Sequence, residues 1–239
     1  MLPFLFGGKM TIIRFSDEEV FGTDSQEYEI LVNAVAKVEN TEGAIVEIGT
    51  RRGGSAKMII DTLVGNNNTN RSMFCIDPYG NIEIDCTNLN MTLHNPERKI
   101  EGDPQSKEIT SKQTFDYDNK MRNRVIPSLY YYAYDAGLNF NFFCLEDYEF
   151  FNRYADGVPV YNDGKTLLNQ YAFVFFDGPH DNKSVTLETD FFLERSVSGT
   201  VFVYDDIWMY DHDKTEESLF NNGFKILEKQ NIKASYRKE

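Results

Sequence analysis

Ala44-Ile45-Val46-Glu47-Ile48-Gly49-Thr50-Arg51-Arg52-Gly53-Gly54-Ser55 is the stretch that decides the fold. Five residues of strand character run into a glycine turn, and from Ser55 onward Ala56, Ile59, Ile60, Leu63 and Val64 repeat at helical spacing. Gly49 allows a tight turn, while Gly53 and Gly54 leave the backbone open to a ligand. The helix behind them points free N–H groups at an anion. Taken alone, this spacing also suits a plain strand-to-helix joint, and it is not the G-x-G-x-x-G of nicotinamide enzymes.

Outward from it, the same alternation repeats. A helix is predicted to follow Asp24, with Glu27 closing a capping box and Tyr28, Leu31, Val32, Val35 and Val38 on its apolar stripe. Further strands read Met73 to Ile76, Phe140 to Leu145, Ala172 to Phe176 and Val201 to Tyr204. They end on Asp77, on Glu146 and Asp147, on Asp177, and on Asp205 and Asp206. A helix near 119–136 breaks or restarts at Pro127, another spans about 183–195, and alternating segments near 224–228 and 233–237 form an antiparallel pair. This is a doubly wound α/β pattern, in which ligands bind beyond the carboxyl ends of the strands.

Composition narrows the partners. With 38 acidic and 24 basic residues the formal charge is −14, a surface that repels nucleic acid and anionic membranes and favours a small molecule or sugar. No run approaches a membrane span, and Cys75, Cys86 and Cys144 form no C-x-x-C pair. Cys75 and Cys144 read as buried free thiols, so a reducing cytoplasm is expected; association into homo-oligomers is compatible with the sequence.

The segment Ile45 to Ser55 resembles motif I of class I methyltransferases, enzymes that use S-adenosylmethionine (SAM). The resemblance covers roughly 42–79 and 138–239 and implies a Rossmann-like, seven-stranded, mostly parallel sheet with an antiparallel terminal pair. One domain over 1–239 is expected, with a helical extension at about 1–40 and an insertion at about 80–118 as part of a substrate lid. The resemblance implies cofactor contacts from Glu47, Gly49, Thr50, Gly53, Gly54 and Ser55, a ribose contact from Asp77, and further contacts from Glu146 and Asp177. Asp147 rivals Glu146 beside the adenine.

Asp177, Asp205 and Asp206 would crowd one space if their strands are neighbours about 4.8 Å apart, with no basic residue beside them in the local sequence. Such acids either cap and brace loops or share a divalent ion of the Mg²⁺ kind. Asp177-Gly178-Pro179-His180 and Val203-Tyr204-Asp205-Asp206 are similar to segments of metal-dependent O-methyltransferases, the macrocin type and more distantly the catechol type, which implies Mg²⁺ on the three acids. Many macrocin-type relatives carry a second Asp where this chain has Pro179, and the catechol type carries a basic Lys at the position of His180. His180 is the candidate base; the alternative is that it orients the loop or contacts SAM. His94 and His212 read as surface residues, His212 at most lining the substrate mouth. The tyrosines 130–132 and 134 read as packing rather than a stacking platform, and Trp208 as a site wall. The expected reaction is metal-dependent methylation of a hydroxyl oxygen; the rival readings are a Rossmann-like oxidoreductase and a SAM-binding protein without chemistry.

Overall fold

A computed structural model describes residues 20–23, 25–79, 119–161 and 164–239. The expected extension before residue 20, the insertion at 80–118, and with them Asp24, Cys86 and His94 lie outside the described residues. The elements in chain order are α1 (Tyr28–Ala36), β1 (Ala44–Ile48), α2 (Gly54–Gly65), β2 (Ser72–Ile76), α3 (Asn119–Asp135), β3 (Asn139–Phe143), α4 (Asp147–Arg153), β4 (Val158–Tyr161), β5 (Lys165–Leu168), β6 (Tyr171–Phe176), α5 (Asn182–Leu193), β7 (Ser196–Tyr204), α6 (His212–Asn221), β8 (Phe224–Lys229) and β9 (Ala234–Lys238).

Seven strands form one sheet in the order β3-β2-β1-β6-β7-β9-β8. The first five run parallel, and β9 pairs antiparallel with both β7 and β8. The chain winds outward from β1 through β2 to β3, then returns to lay β6 on the other side of β1. That reversal opens a crevice at the carboxyl ends of β1 and β6. Period-two alternation splits the core. Ile45, Met73, Phe173, Phe175 and Val201 pack under α1, α2 and α3 with an aliphatic layer. Val46, Phe74, Val174, Phe176, Phe202 and Tyr204 face α4, α5 and α6 through a cluster rich in Phe and Tyr.

Three expectations change, and one element was not foreseen. α3 continues through Pro127 without a break. Val64 is exposed, while the rest of the α2 stripe is buried. Glu27 makes no capping box: it sits at φ 57°, and its carboxylate reaches the β8–β9 turn, accepting N–H bonds from Asn231 (3.2 Å), Ile232 (2.8 Å) and Lys233 (3.0 Å). The β4–β5 hairpin stands apart as a two-stranded sheet. Its signal was available in the apolar alternation of Val158 and Val160 ahead of an Asp163-Gly164 turn pair.

Candidate active site

At the switch point β1 and β6 lie so close that a side chain at position 49 has no room. A Cβ on Gly49 would fall 1.9 Å from the carbonyl oxygen of Asp177, and φ there is +83°. Gly53 and Gly54 are also required by protein packing. A Cβ on Gly53 would meet Val125 and Leu129 of α3 at 3.2 and 3.3 Å. One on Gly54 would meet the carbonyl of Gly22 at 2.5 Å. The space they leave is filled by protein, and it lets α3 and the segment before α1 close over the loop.

Two acids stand at this end with little cationic help. Glu47 is fully buried; its Oε2 accepts the Cys75 thiol at 3.4 Å, and the Ser55 and Thr50 hydroxyls lie beside its carboxyl. Burial pushes the Glu47 carboxyl up to about 7, and the Ser55 and Thr50 side chains pull the other way. Asp77, 1 % exposed, accepts the Arg51 N–H at 2.8 Å and the Tyr79 N–H at 3.0 Å. Burial raises it to about 6 against those bonds. The Tyr79 hydroxyl donates back to the Arg51 carbonyl, so the loops after β1 and β2 are clasped together.

Next to β2, Glu146 caps α4 and Asp147 opens it. Glu146 is half-buried, with its N–H on the Glu149 carboxylate at 3.2 Å. Asp147 is the more buried, takes the Tyr148 N–H at 2.6 Å on Oδ1, and shares a hydrogen bond with the buried Glu188 carboxyl of α5. Burial raises both carboxyls.

Beyond Gly49, β6 and β7 deliver the expected acids together. His180 Nε2 lies 3.8 Å from Asp177 Oδ1 and 3.5 Å from Asp206 Oδ2. Trp208 donates its indole N–H to Asp206 Oδ1 at 3.2 Å, so it steadies an acid as well as standing beside the site. Burial, with Asp205 nearby, raises the Asp177 carboxyl well above the usual range. Asp205 is turned the other way. Its Oδ2 receives the Lys233 ammonium at 2.7 Å, and its Oδ1 receives the Ser25 hydroxyl at 3.1 Å and the Asp206 N–H at 2.7 Å. Lys233 is wholly buried and comes from the β8–β9 turn, which the local sequence around the acids does not reveal.

The acid set therefore does not fit a divalent ion in this arrangement. One of its three carboxylates is saturated by protein donors beside a fixed positive charge, and among the described residues no three of His, Cys, Asp and Glu converge in metal-binding geometry. The first site fits SAM in charge: the buried Glu47 and Asp77 carboxyls suit a ligand that carries an ammonium and a sulfonium.

Residues 46–207 match the family described as methyltransferase domain. The chain belongs to that family. It is an S-adenosylmethionine-dependent methyltransferase. Its fold is similar to three solved structures. The O-methyltransferase NovP is 16 % identical at a TM-score of 0.54, over 88 % of this chain and 78 % of its own. The calicheamicin methyltransferase CalS11 is 13 % identical at 0.56, over 87 % and 78 %. An O-methyltransferase from Bacillus cereus in complex with SAH is 11 % identical at 0.52, over 90 % and 83 %. No curated protein matches the chain.

Three other sequence readings of the methyltransferase are corrected. His212 is buried, its Nε2 2.7 Å from the Tyr236 hydroxyl, and burial lowers it to about 4 with help from Lys229; it belongs to the aromatic core under β7. Cys144 is exposed rather than buried. Tyr130, Tyr131 and Tyr134 are also exposed, and with Leu138 and Phe140 they line a groove at the start of edge strand β3, the end of the sheet opposite the cofactor loops. Among the described residues no helix is long and apolar enough to cross a membrane.

Proposed function

We propose that the methyltransferase acts on a hydroxyl oxygen of a small molecule or sugar, with His180 as the base. The observation that carries this reading is the seat of His180, one imidazole nitrogen facing Asp177 and Asp206 where β6 and β7 end beside the cofactor loops. CalS11 is described as a TDP-rhamnose 3'-O-methyltransferase, and the acidic surface of this chain suits a small acceptor better than a polyanion.

Asp77 would accept the ribose hydroxyls, Glu47, Thr50 and Ser55 would hold the amino-acid end below the Gly49 turn, and Asp147 or Glu146 would meet the adenine. SAM supplies an electrophilic methyl group on its sulfonium. The protein then has two tasks, alignment and proton removal. With Nε2–H turned to the two carboxylates, the other nitrogen of His180 holds the lone pair that takes the hydroxyl proton. The carboxylates stabilise the imidazolium that results. As the oxygen–methyl bond forms the sulfur–methyl bond breaks, and the proton from the hydroxyl ends on His180. No step is assigned to Mg²⁺, because the donor set does not fit it.

Incubation with SAM and a panel of sugar nucleotides and phenols, read as S-adenosylhomocysteine formed, tests the reading. Methyl transfer to hydroxyls that falls 100-fold or more in His180→Ala is expected. Equal turnover in that variant would remove His180 from the chemistry, and transfer only to nitrogen or carbon acceptors would overturn the O-methyl assignment.

A further inference from the structure

We propose that Lys233 is a built-in cation for the acid cluster, taking the place of a divalent ion and orienting Asp206 through Asp205. The ammonium has three partners in three directions: Asp205 Oδ2 at 2.7 Å, the Ser25 hydroxyl at 2.6 Å, and the face of the Tyr28 ring with its centroid at 4.5 Å. A buried lysine is stable as a charge only when paired in this way. Its position is imposed by the backbone. Glu27 grips the N–H groups of residues 231–233, so the turn that carries Lys233 cannot swing outward without losing three bonds to a carboxylate.

The effect passes along a chain of contacts. Lys233 and Ser25 fix the Asp205 carboxylate. Its Oδ1 accepts the N–H of Asp206 at 2.7 Å, which braces that residue at φ +46°. Asp206 in turn presents Oδ2 to His180 and Oδ1 to the Trp208 indole. Lys233 touches neither acceptor nor cofactor in this reading; it is a positioning residue. A doubly charged ion bridging the three acids would have to bind Asp205 against the ammonium and compete with both donors on Oδ1. The cost of that competition is what keeps the cluster free of metal.

The inference concerns charge compensation and is independent of whether the acceptor is a hydroxyl. The test is a Mn²⁺ titration of the chelator-treated full chain, free ion being read by electron paramagnetic resonance, with S-adenosylhomocysteine present. The wild type is expected to bind no Mn²⁺ below the millimolar range. Lys233→Met is expected to gain one site at least tenfold tighter, lost again when Asp205→Asn is added, whereas Lys233→Arg should behave as the wild type. Micromolar binding of one ion by the wild type, abolished by Asp205→Asn, would overturn the proposal, as would a Lys233→Met protein that folds and gains no affinity. Should Lys233→Met fail to fold, the wild type and Asp205→Asn titrations decide the matter alone. Absence of S-adenosylhomocysteine binding would count against the cofactor site and leave the Mn²⁺ result intact.

Discussion

The ends of β1 and β2 and the ends of β6 and β7 lie on either side of Gly49, yet they handle negative charge in opposite ways. At the first, Glu47 and Asp77 are buried with backbone N–H groups and a thiol for company, and burial drives both carboxyls up to about 7 and 6. At the second, Asp205 has a lysine in contact and Asp177 and Asp206 have a histidine between them, although burial still raises the Asp177 and Asp206 carboxyls. In the proposed reading the charge-bearing cofactor sits at the first end and proton handling at the second.

Removing the partition itself gives the largest effect. In Gly49→Ala the new methyl meets the Asp177 carbonyl in a backbone conformation unsuited to alanine, so β1 and β6 must separate. A loss of about 4 kcal/mol or more is expected, read by denaturant unfolding; a loss below about 1 kcal/mol would show that the loops can slide apart. On the proton-handling side, His180→Ala should lower turnover by about 10²–10⁴-fold while SAM affinity, measured by calorimetry, stays within about threefold. A parallel collapse of SAM affinity would merge the two ends into one site.

Asp77→Ala reverses that signature. SAM affinity should fall at least about tenfold, roughly 1.4 kcal/mol, with the acid cluster undisturbed. The wild type should also lose affinity as pH drops. If Glu47 and Asp77 serve the cofactor as carboxylates, binding is full only well above pH 7, weakens as protons are taken up through about 7 and about 6, and falls several-fold by pH 5. Asp77→Asn should flatten the lower part of that curve. An unchanged profile would place the affinity elsewhere. The smallest effect belongs to Trp208→Phe, which removes one hydrogen bond to Asp206 and should lower turnover by about fivefold to tenfold, with SAM affinity unaltered.

Much of the molecule was written in short-range pattern. Apolar runs ended by Gly49, Asp77, Asp177 and Asp205 define the strands, because strand period and turn chemistry are properties of neighbouring residues. The same locality made the Gly49 turn visible before any coordinates; the expected cluster was Asp177, Asp205 and Asp206, whereas the structure seats His180 between Asp177 and Asp206. What the sequence did not disclose was contributed from far along the chain. Lys233 reaches Asp205 only because β9 folds back antiparallel onto β7, and Ser25 reaches it across 180 positions. The free space beside Gly53 and Gly54 was legible, but not that α3 and the Gly22 backbone fill it. His212 looked solvent-exposed in its acidic run, and only packing against Tyr204, Tyr210 and Tyr236 buried it. Covalent neighbours set backbone preference and periodicity, so the strands of the main sheet and the acids at their ends were determined by the sequence alone. Charge compensation depends on distance through space, and only the tertiary structure decided which acids stand unpaired.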